Sequence, residues 1–284
     1  MSKVILNGEY YTDSEVPLNH QNRAFRYGDG LFETIRLING KPVFLLNHIQ
    51  RIIEGLKLLE IKIPEILIND HLKKALIDLA KNNGITKGGV ARLTIWRDSN
   101  GKFMPITDNS AYLLEVEPYP ENKFVLNKSG LSIGIFHDMK KQLNKLSKFK
   151  HLNSQMNVLA SIYARKNEMD DCLLVNEEGL IVESTNSNVF IIRNGTLYTP
   201  PLSDGCVGGT MRMNLINAAL ELNIGTYESG LNQQHLLMAD EVLLTNAVRG
   251  IQWVNAFKHK RYYSKLAELL VEKINEMATN LSST

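Results

Sequence analysis

Apolar side chains recur every three or four positions in one segment after another of this chain, which is the spacing of one helix face. In residues 45–61 the series runs through Leu45, Ile49, Ile52, Ile53, Leu56 and Leu59. A second helix is predicted for NDHLKKALIDLAKNNGI, opened by Asn69 or Asp70 and closed by Gly84. Further helices are predicted for NSQMNVLASIYARKN, GGTMRMNLINAALELN and YYSKLAELLVEKINEMATN.

Short apolar runs bounded by turn residues predict strands between these helices. Near the N-terminus, KVILNGEYY and GLFETIRLINGKPVFL each predict two strands around an Asn-Gly turn. The segment DCLLVNEEGLIVESTNSNVFIIRNGTLYTP adds hairpin turns at 177–179 and 194–195. Other strands are predicted for GGVARLTIWRDSNG, SAYLLEVEPYP, GLSIGIF and EVLLTNA.

The segment EPYPENK, residues 117–123, carries two of the eight prolines and several charges, which is typical of a linker. Helices and strands occur on both sides of it. We therefore predict an α/β (α+β) protein with mixed sheets in two domains. The prediction comprises an N-terminal α/β domain over residues 1–118, an interdomain linker over 119–130 and a C-terminal mixed α/β domain over 131–284.

Composition and charge narrow the classes of function. The 284 residues are 44% hydrophobic and 22% charged, with a formal net charge of +2, as in an ordinary globular protein. The basic run 140–150 contains a single aromatic residue, Phe149, instead of the repeated aromatic residues of a single-strand binder, so nucleic-acid binding is not expected. Cys172 and Cys206 form no CxxC pattern, which argues against a disulfide framework and a structural metal site. Without a signal-like N-terminus or an apolar run of membrane length, we expect a cytoplasmic protein with no membrane partner.

Several residues are candidates for chemistry, although none is specific alone. Two glycines in DGCVGGTMRMNL precede a predicted helix, whose first N–H groups could hold a phosphate, but a plain loop before a helix has the same pattern. Glu183 follows a predicted strand and could be exposed or could face a buried cationic nitrogen. Arg51 could extend along the helix surface to solvent or clamp a phosphate. Lys148 and Lys150 could both be solvated charges, or one could attach a cofactor covalently.

Taken together and in order, six segments resemble the fold-type IV pyridoxal-phosphate enzymes. The segments are FRYGDGLFETIR, LLNHIQRI, FKHLN, GLIVESTNSNVFII, YTPPLSDGCVGGTMR and ADEVLLTNAV. The family contains branched-chain aminotransferases, D-amino-acid aminotransferases and aminodeoxychorismate lyases, and the resemblance covers nearly the whole chain. It implies a two-domain fold like that of D-amino-acid aminotransferase, with pyridoxal 5'-phosphate as cofactor.

The resemblance also assigns the residues that carry the chemistry. Lys150, in FKHLN, matches the lysine that condenses with the cofactor aldehyde and later moves the substrate's Cα proton. Glu183 matches the acid that pairs with the pyridine nitrogen and keeps it protonated. Arg51 matches the phosphate-binding arginine.

Further cofactor and substrate contacts follow from the same resemblance. Val207 matches the apolar residue packed on one face of the ring. Thr210 and Met211 match the helix-start positions whose backbone N–H groups hold the phosphate. Asn246 and Ala247 match a turn that contacts the phosphate and the substrate carboxylate, with an amide at Asn246 where branched-chain enzymes have a hydroxyl.

Three features favour the lyase over the aminotransferases. The sequence KHLN at the lysine is similar to aminodeoxychorismate lyases, and Gln155 stands where branched-chain enzymes have a tyrosine. Thr34 stands where those enzymes tend to have glycine, and its hydroxyl could donate to a leaving group or to the substrate carboxylate. The sequence TNA in 245–247 is also similar to the lyases.

Other features point away from the lyase toward an aminotransferase, with a branched-chain enzyme ranked before a D-amino-acid enzyme. Arg92 lies near the position of a carboxylate-contacting arginine of branched-chain enzymes. Lys102 falls where lyases and D-amino-acid enzymes often have arginine, and a lysine offers a point charge instead of a bidentate fork. Phe32 replaces a tyrosine of the D-amino-acid enzymes, which argues against that alternative. Of Arg92 and Arg97, one could be a buried pairing and the other a solvated charge.

The resemblance further implies a homodimer that binds a small-molecule amino acid or aminodeoxychorismate. Tyr27 and Thr34 are candidates for substrate contacts near the dimer interface. A third hypothesis is a non-catalytic dimer that binds pyridoxal phosphate. It is disfavoured because Lys150, Glu183 and Arg51 are all present.

Overall fold

The structure, a computed structural model, describes residues 2–282. The chain separates into two compact units. The first contains residues 2–123, the short segment 149–153 and the described residues after 279, and the second contains 124–148 and 154–279. Along the chain, Lys150 therefore falls within the first unit, whereas the sequence-based domain boundaries group it with the C-terminal part.

The first unit is built on an antiparallel sheet with two main helices. Its elements are β1 (Lys3–Leu6), β2 (Glu9–Thr12), α1 (Arg23–Tyr27), β3 (Gly30–Ile38), β4 (Lys41–Pro42), α2 (Leu45–Leu58), α3 (His71–Asn82), β5 (Gly89–Arg97) and β6 (Ser110–Pro118). Within the described residues, six strands pair in the order β2-β1-β6-β5-β3-β4. The apolar faces of α2 and α3 pack on this sheet around Ile35, Leu56 and Leu76, which are fully buried.

The short segment 149–153 is attached to the beginning of β3. The N–H of Phe32 donates to the carbonyl of Lys150 at 2.9 Å, and the N–H of Leu152 donates to the carbonyl of Gly30 at 3.1 Å. Leu31 and His151 form an antiparallel bridge between these bonds. The backbone of the segment therefore extends the sheet beside β3, which explains why it belongs to the first unit.

The second unit is built on a larger mixed sheet. Its elements are β7 (Leu131–Lys141), α4 (Gln155–Lys166), β8 (Asp171–Asn176), β9 (Ile181–Ser184), β10 (Asn188–Arg193), β11 (Thr196–Thr199), α5 (Thr210–Glu221), β12 (Thr226–Glu228), α6 (Gln233–Met238), β13 (Glu241–Asn246), β14 (Gly250–Phe257), β15 (Lys260–Arg261) and α7 (Lys265–Ser282). The main strand path is β12-β11-β10-β13-β14-β7-β8-β9, and β15 pairs with β14.

The path of this sheet returns on itself. Strand β9 pairs with β8 and also with β10, so the strands from β10 through β13, β14, β7 and β8 to β9 form a ring. The β9–β10 pairing consists of one residue pair, Asn188 opposite Glu183. The apolar side chains of these strands, with Val189, Leu244 and Val254 among them, form a buried core.

The predicted mixed α/β fold is confirmed, and the elements depart from the prediction in a few places. The second strand expected in GKPVFL is only the two-residue β4. Pro42 has no N–H to donate to a ladder, and Phe44 adopts the left-handed region at φ 55° directly before α2. Strand β14 and the short α6 were not predicted from the sequence; α6 begins with a capping box between Asn232 and His235. Across 2–282, the structure contains no helix of sufficient length and apolarity to span a bilayer.

Candidate active site

The lysine segment, residues 149–153, is fixed in the first unit by packing as well as by backbone hydrogen bonds. The Phe149 ring is buried against α2, where Gly55 leaves room for it; a Cβ at Gly55 would lie 3.1 Å from that ring and 2.5 Å from Leu31. At Gly30, a Cβ would lie 2.3 Å from the carbonyl oxygen of Ile95. Because neither glycine carries a side chain, the lysine segment can pack closely against α2 and β3, and this packing fixes the position of Lys150.

The side chain of Lys150 lies beside the ring of Phe32. Its Nζ is 4.5 Å from the ring centroid, and the Cζ of Arg92 is 4.0 Å from the same centroid. Thr34 lies two residues along β3, opposite Arg92 in the β3–β5 register. Because alternate residues of a strand share a face, Phe32 and Thr34 lie on one face of β3. The structure thus brings together three residues that the sequence analysis selected separately, Lys150, Thr34 and Arg92.

The opposite face of β3 carries a buried carboxylate that holds Arg51. Glu33 is 2% exposed, and it accepts from Arg51 Nε at 2.7 Å, from Arg51 Nη2 at 2.5 Å and from His48 Nδ1 at 2.6 Å. Burial alone would raise the pKa of Glu33, but the Arg51 charge and the His48 hydrogen bond outweigh it and lower that pKa to about 2. Arg51 is therefore fixed as a cation on α2 and does not extend into solvent.

His48 completes this cluster as a buried imidazole. Burial lowers the pKa of His48, the hydrogen bond and charge of Glu33 act against that shift, and the positive charges of Arg51 and Lys150 add to it. Neither Glu33 nor His48 was predicted from the sequence as a site residue. The signals were present: Glu33 lies on the apolar face of β3 between Leu31 and Ile35, and His48 lies three positions before Arg51 on one helix face.

In the second unit, Glu183 lies where the ring of strands closes. Its side chain is 6% exposed and forms an ion pair with Lys141. Its Oε2 accepts from the backbone N–H of Val207 at 2.7 Å. Of the two possibilities that the sequence left open, an exposed acid and a buried one, the structure has the buried acid. Lys141, its ion-pair partner, was not selected from the sequence.

The glycines before α5 make room for a close contact with β10. Asn188 Nδ2 donates to the carbonyl of Val207 at 2.8 Å. A Cβ on Gly209 would lie 1.9 Å from Asn188 Oδ1, so a larger residue here would displace the Asn188 side chain. Gly209 precedes the first helical residue, and Thr210 and Met211 are buried at the start of α5.

The predicted contact turn after β13 is organised by Asn246. Its Oδ1 accepts from the N–H groups of Val248 at 3.1 Å and Arg249 at 2.8 Å, and its Nδ2 donates to Ser187 Oγ at 3.0 Å. The amide thus shapes the turn that contains Ala247, and both residues remain partly accessible.

The two arginines of β5 differ in their surroundings. Arg97 is 7% exposed; it donates to Asp29 at 3.1 Å, to Asp108 at 2.5 Å and to the carbonyls of Leu59 and Glu60. Arg97 is therefore a structural residue. The pKa of Arg92 is lowered, because the effect of partial burial outweighs that of the Glu115 charge, which raises it.

Tyr27 and Lys102 belong to one surface of the first unit. Arg23 Nη1 donates to the carbonyl of Lys102 at 2.6 Å, and its guanidinium lies 4.8 Å from the Tyr27 ring centroid. The Tyr27 ring lies 5.6 Å from that of Phe103, while the side chain of Lys102 is exposed. Arg23 thus fixes the backbone of the β5–β6 loop next to α1.

Comparison with known proteins identifies relatives that span almost the whole chain. The family model for amino-transferase class IV matches residues 30–257. The chain is 30% identical over 277 residues to the aminodeoxychorismate lyase of Bacillus subtilis (strain 168), covering 93% of this chain and 90% of that protein. It is 28% identical over 248 residues to the D-alanine aminotransferase of Bacillus licheniformis, covering 86% and 84%.

A solved structure agrees with the fold. The branched-chain aminotransferase from the archaeon Thermoproteus uzoniensis, solved with norvaline, superposes with a TM-score of 0.88. The superposition covers 98% of this chain and 95% of that one, at 22% sequence identity. The predicted fold-type IV architecture is thereby confirmed.

Proposed function

Because this chain is an enzyme of the class IV aminotransferase family, we propose that it is an aminodeoxychorismate lyase that releases pyruvate and p-aminobenzoate. Enzymes of the family depend on pyridoxal 5'-phosphate and act on small amino-group substrates. The family membership rests on the model matched over residues 30–257. The choice of reaction within the family, and the roles of individual residues, are the proposal.

The residues of the chain fit this cofactor by their chemistry. Lys150 supplies the amine for the cofactor aldehyde, and Glu183 supplies a buried carboxylate for the ring nitrogen. Arg51 is held as a cation by Glu33 and suits a phosphate group. The start of α5 is free of a side chain at Gly209, where a Cβ would lie 1.9 Å from Asn188 Oδ1. A backbone without side chains at a helix start is a common setting for a phosphate.

The cofactor, when bound, withdraws electrons from the carbon that carries the substrate's amino group. The neutral amine of Lys150 would then remove the proton from that carbon. In aminodeoxychorismate the ether bond between the ring and the enolpyruvyl group breaks, the ring becomes aromatic and the side chain leaves as pyruvate. The overall reaction splits one molecule into two and requires no oxidant and no 2-oxo acid.

One structural observation supports the lyase over an aminotransferase. Thr34 lies on the same face of β3 as Phe32, and the Phe32 ring centroid lies 4.5 Å from Lys150 Nζ. A donor near the proton-transferring amine suits a reaction in which a leaving group must be stabilised. The 30% identical lyase relative and the KHLN sequence support the same choice.

Branched-chain aminotransferase activity is the second candidate. Arg92 lies 4.0 Å from the Phe32 ring on the same face, and an arginine there suits an amino-acid carboxylate. In that reaction the amino group would be transferred to a 2-oxo acid, and no carbon–oxygen bond would break. Lys102 and Ala247 remain proposed substrate contacts under either reaction.

A direct assay separates the two reactions. The enzyme is incubated with aminodeoxychorismate, and pyruvate and p-aminobenzoate are measured. In parallel it receives L-leucine or D-alanine with 2-oxoglutarate, or L-glutamate with 4-methyl-2-oxopentanoate, the 2-oxo acid of leucine. Pyruvate formed without a 2-oxo acid is expected. Amino transfer to a 2-oxo acid, with no pyruvate released from aminodeoxychorismate, would establish the second candidate. A protein that binds the cofactor and is inactive in both assays would favour a non-catalytic dimer.

The covalent role of Lys150 is tested separately from the choice of reaction. Borohydride reduction is expected to fix the cofactor to Lys150, located by peptide mass mapping. Lys150→Ala should lose several orders of magnitude in turnover, since attachment point and base are removed together. Lys148→Ala, two residues away and exposed, is the matched control. Near-normal turnover of Lys150→Ala would contradict the assignment.

We also propose that the chain forms a homodimer. Three large apolar residues of the β5–β6 loop are exposed: Phe103 by 88%, Met104 by 82% and Ile106 by 73%. Together with Tyr27 they form what we call the loop patch. Apolar side chains at this exposure are stabilised when a second protein surface covers them. A second copy of the chain is the proposed cover.

A further inference from the structure

Lys141 and Glu183 form an ion pair to which the proposed reaction gives no role. Lys141 is the last residue of β7, and Glu183 lies on β9, with β8 between them. The Lys141 ammonium donates to Glu183 Oε1, and the two side chains are 14% and 6% exposed. Charged side chains that are this little exposed are tolerated in a folded protein when each has a close partner of opposite sign.

The two oxygens of Glu183 have different donors. Oε1 accepts from the Lys141 ammonium, whereas Oε2 accepts from the neutral N–H of Val207 at 2.7 Å. These two bonds fix the rotation of the carboxylate about its side chain. Each carboxylate oxygen can accept more than one hydrogen bond, so the group can still receive a proton donor from a ligand. A proton donor of the ligand and the Lys141 ammonium would then both interact with the negative charge of Glu183.

We infer that Lys141 is a positioning residue that holds the Glu183 carboxylate in its orientation, and that moderates its attraction for the protonated ring nitrogen of the cofactor. The inference rests on the proposed function, in which Glu183 faces that nitrogen. Lys141 itself needs no contact with the cofactor. Its effect passes through the charge that it shares with Glu183.

The inference predicts how binding changes when Lys141 loses its charge. When methionine replaces Lys141, Glu183 no longer pairs with an ammonium group. On cofactor binding, Glu183 would then pair with the protonated ring nitrogen instead. The interaction between them should strengthen because it is no longer shared. A residue that only supported the shape of the site would instead weaken binding of any cofactor ring, whether or not the ring carried a nitrogen.

The test compares two ligands of the cofactor-free enzyme: pyridoxal phosphate and an analogue with C–H in place of the ring nitrogen. Dissociation constants are measured by absorbance or fluorescence titration. Lys141→Met is expected to raise the preference for the nitrogen ring about tenfold, the effect of one charge-assisted hydrogen bond. Lys141→Arg keeps the charge and should match the wild type. Lys140→Met, an exposed neighbour on the same strand, should also match it.

The outcomes separate this inference from the proposed function. A preference unchanged in Lys141→Met, or equal weakening for both rings, would overturn the role of Lys141. A wild type that shows no preference, or a Glu183→Gln variant that retains it, would instead contradict the assignment of Glu183 to the ring nitrogen.

A second measurement needs no cofactor. Urea unfolding is compared for the wild type, Lys141→Met, Glu183→Gln and the double variant, all in the cofactor-free form. Lys141→Met alone leaves a buried charge without its partner and should lower the unfolding midpoint more than the double variant does. Strictly additive effects would show that the two groups are not coupled. If Lys141→Met does not fold, Lys141→Gln replaces it in both experiments.

Discussion

Glu33 illustrates how one buried side chain can control several others. It carries three short hydrogen bonds from Arg51 and His48 while only 2% of it is exposed. Arg51, the proposed phosphate ligand, therefore owes its fixed position to an acid that the sequence analysis did not select. The omission has a physical reason: the sequence shows an acid on the apolar face of a strand, but the cation that it pairs with is known only when the helix that covers it is placed.

The pKa of Glu33 predicts a dependence of stability on pH. Because this pKa falls from 4.5 to about 2 on folding, the carboxylate stabilises the fold above pH 4.5, and this contribution is lost as the pH falls toward 2. Its full size is about 3 kcal/mol. Glu33→Gln should therefore be less stable than the wild type at pH 7 by about that amount, and the difference should narrow as the pH is lowered to 3.

Urea unfolding at several pH values measures this effect. Glu54→Gln, an exposed position on α2, should change stability by less than 0.5 kcal/mol, about the usual limit for a surface substitution. A stability difference between Glu33→Gln and the wild type that does not vary with pH would contradict the ion-pair account.

At the scale of an element, the start of α5 depends on one glycine and tolerates change at its neighbour. A methyl group on Gly209 would lie 1.9 Å from Asn188 Oδ1, whereas one on Gly208 would lie 3.5 Å from its nearest atom. Gly209→Ala should displace Asn188, break its bond to Val207 and shift the N–H that Glu183 accepts. Overpacking of this kind costs about 1–3 kcal/mol.

We expect Gly209→Ala to bind pyridoxal phosphate about tenfold more weakly, which corresponds to about 1.4 kcal/mol. Gly208→Ala should bind almost as the wild type does. Titration of both variants measures the difference, and thermal unfolding reports the accompanying loss of stability. Equal affinities of the two variants would show that the contact with Asn188 does not position the site.

The sequence predicted the long periodic elements well and the short ones poorly. Helix α2 was expected from its apolar spacing and is found at Leu45–Leu58. Strand β14 was not predicted because apolar and polar residues do not alternate regularly in its sequence, GIQWVNAF. Helix α6 was not predicted because it is only six residues long. Lys150, Glu183 and Arg51 were selected by resemblance, and their roles stay predictions. Lys141 was not selected, since no local pattern indicates a bond between β7 and β9.

At the scale of the whole molecule, the loop patch predicts how the protein assembles. Size-exclusion chromatography with light scattering should give twice the mass of the 32.1 kDa chain. Phe103→Asp combined with Ile106→Asp places charges among the exposed apolar residues and should shift the population to monomer. Leu220→Asp changes an apolar residue on α5 that is 59% exposed, and it should leave the mass unchanged. A dimer unaffected by the first variant would mean that another surface is responsible.

The ring of strands in the second unit is joined at one place by a single residue pair, Asn188 opposite Glu183. Elsewhere its ladders are longer, as in the five pairs between β10 and β13. Amide hydrogens along β13 and its neighbours should therefore exchange with deuterated solvent slowly and together, while those beside Glu183 exchange first. Glu183, the acid proposed to face the cofactor, would then lie at the place where the ring of strands opens most easily. A ligand that stabilises the β9–β10 pairing should slow amide exchange beside Glu183 before it slows exchange elsewhere in the ring.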